Sequence, residues 1–248
     1  MDLHVQKKFM DLWSRYFNHA ELPITFYYTD ELEGVEPAEK PEGHHCMITE
    51  LNKVRKGKTL AFNSDNIGCG GARRYAGYTH DLPDNFGYFL SCGMPGKMEG
   101  ERYKIAPHVV QEMIQHVPQI EARGQWMVFK RWDQLREQDE PEVVIIFAEP
   151  DVLSGLFMLA NFDYADPNGV KTPMCSGCGA TILYPYAEKE RDHPVSIIGM
   201  FDPTARPHVQ KTKLTFAAPM NRFDQIIGYM EGSFLMSNTW KKLSDRMQ

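Results

Sequence analysis

Apolar positions near the start of the chain fall three and four residues apart: Leu3, Val5, Phe9, Leu12, Trp13, Tyr16 and Phe17. That spacing gathers them on one side of a helix and predicts an amphipathic element packed on a core and ended by Pro23. The β-branched and aromatic run 24–28 reads as a strand, and the acidic, proline-containing stretch that follows, through Gly43, reads as a loop. A short helix over about 46–55 leads through Gly57 into a strand at 58–63. The turn formers of 64–71 then precede a helix that starts at Ala72. Residues 105–117 have helical spacing, 126–129 and 143–147 read as strands, and 152–160 as a helix. Turns at 167–173 lead to a loop around Cys175 with a short helix, then to strands at 195–201 and 213–217. Phe223, Ile226, Ile227, Met230 and Phe234 predict a last amphipathic helix.

Strand and helix periods alternate along the chain, which predicts an α+β (mixed α/β) fold. A length of 248 residues lies at the upper end of one domain's span, so a single domain is expected, made of one unit or of two fused halves. A local repeat favours halves. Gly68-Cys69-Gly70 and Gly177-Cys178-Gly179 are each followed by a tyrosine, Tyr75 or Tyr184, six residues after the cysteine. Two pseudo-symmetric halves, about 1–125 and 126–248, each with a small sheet and flanking helices, are the corresponding expectation, with the two cysteines converging.

Charge and composition narrow the function. The chain carries a formal net charge of -6, and its lysines and arginines are scattered, so it offers no basic stripe for nucleic acid. The longest uninterrupted apolar run, 143–148, is far short of the ~20 residues needed to cross a bilayer. The first residues mix Asp2, Lys7 and Lys8 with apolar ones and do not look like a signal peptide. The expected compartment is the cytoplasm, where thiols stay reduced and free cysteines are buried, catalytic or metal-binding.

Five cysteines therefore carry the candidate chemistry. Cys175 and Cys178 form a C-x-x-C turn whose thiols can face the same way, and a following helix would direct backbone N–H groups at the sulfurs and favour the thiolate. Cys69 sits in a similar glycine turn, and Cys46 at a helix start after His44 and His45. Cys46, Cys69, Cys175 and Cys178 together make the four thiols of an iron-sulfur cluster or, as the alternative, a tetrahedral zinc site. Only one knuckle has close internal spacing, which suits a cluster better than zinc. Cys92 reads as a buried free cysteine. Gly70, Gly71, Arg73, Gly179 and Tyr184 line the two turns as candidate cofactor-binding residues, with Arg73 and Tyr184 placed outside the ligands. A small molecule or a redox partner is the expected partner.

Other readings start from the same loops. A metal-free protein could hold a small anionic ligand or cofactor at the glycine turns beside Arg73. A thiol enzyme using Cys178 would have only His44 and His45 as nearby bases. Gly57-Lys58-Thr59 resembles the end of a phosphate loop, but Asn52 replaces its first glycine and a strand follows. His108, Glu112 and His116 share one helix face, which reads as a solvated face, and the 14 methionines read mainly as core fillers.

The residues also resemble a family. Residues 55–60 (Arg-Lys-Gly-Lys-Thr-Leu), 66–72 (Asn-Ile-Gly-Cys-Gly-Gly-Ala), 178–180 (Cys-Gly-Ala) and Tyr184-Pro185-Tyr186 look like the bacterial and archaeal family "domain of unknown function one-six-nine". The resemblance runs from about Cys46 to Tyr229. It implies a soluble prokaryotic protein without an established activity, and it points to the same turns as the site.

Overall fold

The computed structural model describes residues 1–247. In it the chain folds as α+β around one mixed sheet of seven strands, in the order β2-β3-β1-β4-β7-β6-β5. These are β1 (Ile24–Thr29), β2 (Leu60–Phe62), β3 (Trp126–Arg131), β4 (Val143–Ala148), β5 (Val170–Lys171), β6 (Ser196–Gly199) and β7 (Leu214–Pro219). Every pairing is antiparallel except β5 with β6. The two halves do not form separate small sheets. They join edge to edge through β1 and β4, with Ile24 opposite Ile145.

The strand order does repeat. β1-β3-β2, drawn from residues 24–131, is matched by β4-β7-β6, drawn from residues 143–219. The connections break the symmetry: α2 (Met47–Arg55) follows β1 and joins one apolar cluster, while α6 (Pro150–Leu159) follows β4 and joins the other. The Cys69 turn comes after β2, whereas the Cys178 turn comes before β6.

The six residues of β4 are buried throughout, because the alternating side chains of this central strand enter two different cores. Val143, Ile145 and Phe147 face the cluster shared with α2; Val144, Ile146 and Ala148 face the helical layer on the other side. That layer contains α1 (Leu3–Tyr16), α6, α8 (Met220–Tyr229) and α9 (Asn238–Ser244). The apolar stripe of α1 packs as its spacing requires, with Phe9 in contact with Trp132 and Phe223 at ring-centroid distances of 4.8 and 5.3 Å. Asp2 caps the helix by accepting a hydrogen bond from the His4 amide at 2.7 Å.

The opposite layer carries α2, the short α3 (Gly70–Tyr75), a π-helical turn at Gly179–Leu183 and α7 (Tyr184–Glu188). Between α3 and β3 the chain makes an excursion with α4 (Phe86–Phe89) and α5 (Pro107–His116). His108, Glu112 and His116 are all exposed on α5. No helix among the described residues is long and apolar enough to cross a membrane.

Candidate metal centre

Three loops bring cysteines to the face of the sheet that carries α2. Cys46 is the N-cap of α2 and Cys69 the N-cap of α3. Both pack against the apolar cluster of which Cys178 is a buried member. The first two loops are joined by a hydrogen bond from the His45 amide to the Gly68 carbonyl at 3.3 Å. A Cβ at Gly68 would stand 2.5 Å from Pro41 Cγ and 3.1 Å from the His45 nitrogen, so only glycine permits this approach. Asn66 fixes the second loop from below. Its side-chain amide donates to the Ala38 carbonyl at 3.0 Å, and its oxygen accepts from the Asn63 amide at 2.8 Å.

The Cys175–Cys178 turn is held by the same kind of close contact. A Cβ on Gly177 would lie 2.8 Å from Ala205 Cβ and 3.1 Å from Ile48 Cγ1, which wedges the turn between α2 and the segment after β6. The Ser176 hydroxyl accepts from the Gly179 amide at 3.3 Å, and the Thr181 hydroxyl donates to the Gly177 carbonyl at 2.9 Å. Gly179 leaves room for Cys175, whose Sγ would be 3.1 Å from a Cβ there.

Sequence reasoning missed Asp202. Met200 ends β6 with φ +73°, a left-handed conformation unusual for methionine, and turns the chain toward this carboxylate. The Thr204 hydroxyl donates to Asp202 Oδ2 at 2.7 Å. Asp202 bears electrostatically on Cys46, Cys175 and Cys178. No spacing rule marks such a residue, which follows β6 by way of Met200 in its left-handed conformation.

Electrostatics tie the group together and correct one expectation. Burial pushes the Cys178 thiol well above its usual value, and the neighbouring Cys46, Cys69, Asp202 and Cys175 push it further in the same direction. Burial and Asp202 push Cys175 up to about 12. Cys46 is raised by burial, partly offset by the Ile48 and Thr49 amides at the start of α2. The expected stabilisation of thiolates by helix N–H groups is therefore outweighed by desolvation. As the chain stands these three thiols are protonated at neutral pH, the opposite of an activated nucleophile. His45 is engaged with Glu50 at 2.7 Å.

Tyr75 and Tyr184, the tyrosines of the two similar turns, both lie at the site. Burial, then Cys175, raises Tyr184, and burial with Cys175 and Cys178 raises Tyr75 to about 12. Arg73 stands one turn after Cys69, and its Nε is buried without a hydrogen-bond partner. Gly70 and Gly71 are exposed, while Gly179 is buried. Among the described residues, no group of three or more His, Cys, Asp or Glu side chains is arranged to hold a metal ion as the side chains stand. The thiols are neighbours, not a preformed coordination shell.

Cys92 is exposed and is absent from the neighbours of Cys178, contrary to the buried position expected of a free cysteine. Gly57, at φ +96°, follows the C-terminus of α2, where the left-handed conformation ends a helix, so the phosphate-loop likeness marks a helix stop.

The model of the family DUF169, described as "Uncharacterised ArCR", matches residues 15–228. The chain belongs to this family. All five cysteines, Asp202 and both tyrosines of the turns lie within the matched span, while α9 lies outside it. No curated protein and no solved structure matches the chain.

Proposed function

We propose that this DUF169 protein holds an iron-sulfur cluster through Cys46, Cys69, Cys175 and Cys178 and serves a redox or small-molecule-handling role in the cytoplasm. The observation that carries the reading is the gathering of four thiols from three loops around buried Cys178, with the fifth cysteine elsewhere. Metal charge then reverses the protonation that burial imposes, since a coordinating thiol loses its proton. Arg73 supplies a spare donor one turn from Cys69, and Tyr184 a hydroxyl beside Cys175. Because binding releases protons from thiols held above their usual values, retention of metal should strengthen as pH rises.

Protein purified without oxygen should be brown and contain iron and sulfide, and Cys46→Ser should lose both. Colourless, metal-free protein with all five thiols freely titratable would overturn the reading. Zinc in place of iron would keep the ligands and remove the redox role.

The unpaired Nε of Arg73 favours a second reading, a metal-free site for a small anion at the Gly70 turn. Stabilisation by inorganic phosphate in a thermal melt that survives Cys175→Ser would support it.

A further inference from the structure

The excursion beyond α4 contains a second group of soft donors, independent of the Cys46 group. Cys92, Met94 and Met98 line one open cleft of about 450 Å³ together with Lys97, Glu99 and Arg102. Methionines ordinarily fill gaps in a core. These two do not: both are half-exposed, and neither belongs to or packs against any of the protein's apolar clusters.

The backbone directs the two thioethers the same way. The Met94 amide donates to the Met98 carbonyl at 2.8 Å and the Met98 amide to the Met94 carbonyl at 3.0 Å. Residues that exchange both hydrogen bonds across an antiparallel bridge carry their side chains on the same face. Pro95 and Gly96, the latter at φ +69°, make the turn between them, closed by the Lys97 amide on the Met94 carbonyl at 3.0 Å. The base of the hairpin is tight. A Cβ on Gly100 would stand 2.2 Å from Gly93 N and 2.2 Å from the Ser91 carbonyl oxygen, so the two arms touch backbone to backbone. Cys92 enters the cleft from this base.

A thiol and two thioethers select a soft metal ion, above all monovalent copper, because hard divalent cations prefer oxygen and zinc prefers thiolate and imidazole. Lys97 and Arg102 against the single carboxylate of Glu99 add positive charge to the cleft. That excess disfavours a divalent cation, whereas a thiolate with a monovalent one is neutral. We propose that Cys92, Met94 and Met98 form a surface site for Cu(I). Binding replaces the Cys92 proton with the metal and changes no oxidation state.

The test uses the full chain labelled with [methyl-13C]methionine, kept under nitrogen and titrated with Cu(I) or with Ag(I) as its surrogate. Two methyl resonances should move, identified as Met94 and Met98 by their loss in Met94→Leu and Met98→Leu, near-isosteric changes at half-exposed positions. Cys92→Ser should abolish the movement, and Zn(II) should leave both resonances in place. Total copper bound should fall by one equivalent in the double leucine variant. Unmoved Met94 and Met98 resonances at saturation, an equal response to Zn(II), or a response that survives Cys92→Ser would each overturn the proposal. Met47, Met174 and Met200 flank the Cys46 group and report on it separately, so loss of the iron-sulfur reading leaves this measurement intact.

Discussion

Gly199 of β6 controls how the Cys178 turn sits on the sheet. A Cβ there would lie 2.1 Å from Ala180 Cβ and 3.5 Å from Ala180 Cα. Neither methyl group has a torsion that could move it aside. Carbon atoms pack at roughly 3.5–4.0 Å, so Gly199→Ala requires the π-helical turn to withdraw by roughly 1.5 Å. Such overpacking costs about 1–3 kcal/mol. The displaced turn carries Cys178, two residues before Ala180, so its thiol leaves the group formed with Cys46 and Cys69, and on the proposed iron-sulfur reading metal content should fall as well. Urea unfolding should show a lower midpoint with unchanged slope. Adding Ala180→Gly removes the opposing methyl and should restore the midpoint, short of the ~1 kcal/mol that a helical glycine costs, together with any metal the proposed site holds. The two substitutions are then strongly non-additive. A single variant within ~0.5 kcal/mol of the parent, or a double variant no better than the single, would refute the steric argument.

Two further outcomes follow from buried polar groups. Lys130 Nζ meets both oxygens of buried Asp139 at 2.7 and 2.8 Å, and the Tyr27 hydroxyl donates to the same carboxylate at 2.6 Å. Burial alone would raise the Asp139 carboxyl; Lys130, Tyr27 and the Arg136 amide reverse this and hold it below its usual value. Its stabilisation is thus present above the unfolded value of about 3.9 and is lost as pH falls through the lower folded value. Lys130→Met strands the carboxylate and should cost about 3–5 kcal/mol at neutral pH. With its cation gone the carboxyl protonates more readily, so that deficit should shrink toward about pH 4, and a deficit constant with pH in urea unfolding would contradict the assignment. Asn66→Ala leaves the Asn63 amide and Ala38 carbonyl unsatisfied, at about 1–3 kcal/mol, and should quicken the reaction of Cys69 with a thiol reagent. An unchanged rate would mean that Asn66 does not hold that loop.

Regular elements with strong periodicity were legible in the sequence because their packing depends on residues they themselves contain. α1, α8 and β4 carry apolar faces that the spacing marks: β4 runs one residue further, Phe17 is the C-cap of α1, and α8 starts earlier, at Met220, but ends at Tyr229, leaving Met230 and Phe234 of the expected helix in separate 3-10 turns. β5 is two residues long, too short for any alternation to be read. The 195–201 strand stops early at Gly199, because Met200 adopts a left-handed conformation that a composition-based reading does not anticipate in methionine. The exposure of Cys92 was hidden for a related reason: the close backbone approach of Gly93 to Gly100 that shapes its hairpin is not visible along the chain.

The four-thiol group divides along the same line. The turns at Cys69 and Cys178 were visible as a repeated Gly-Cys-Gly with a tyrosine six residues on, and both tyrosines do lie beside the thiols. Their relation to the strands was not. The halves share a strand order, but one cysteine turn follows its edge-side strand β2 and the other precedes its counterpart β6, so the repeat in sequence and the repeat in topology are out of step. What unites the turns is the face they occupy. Gly68 admits His45 and with it Cys46, and Gly177 admits Ile48 of the same helix, so α2 is the element against which both loops close. If that is the organising contact, widening it at Gly177 should separate Cys178 from Cys46 while leaving the Cys46 and Cys69 loops joined through the His45–Gly68 hydrogen bond.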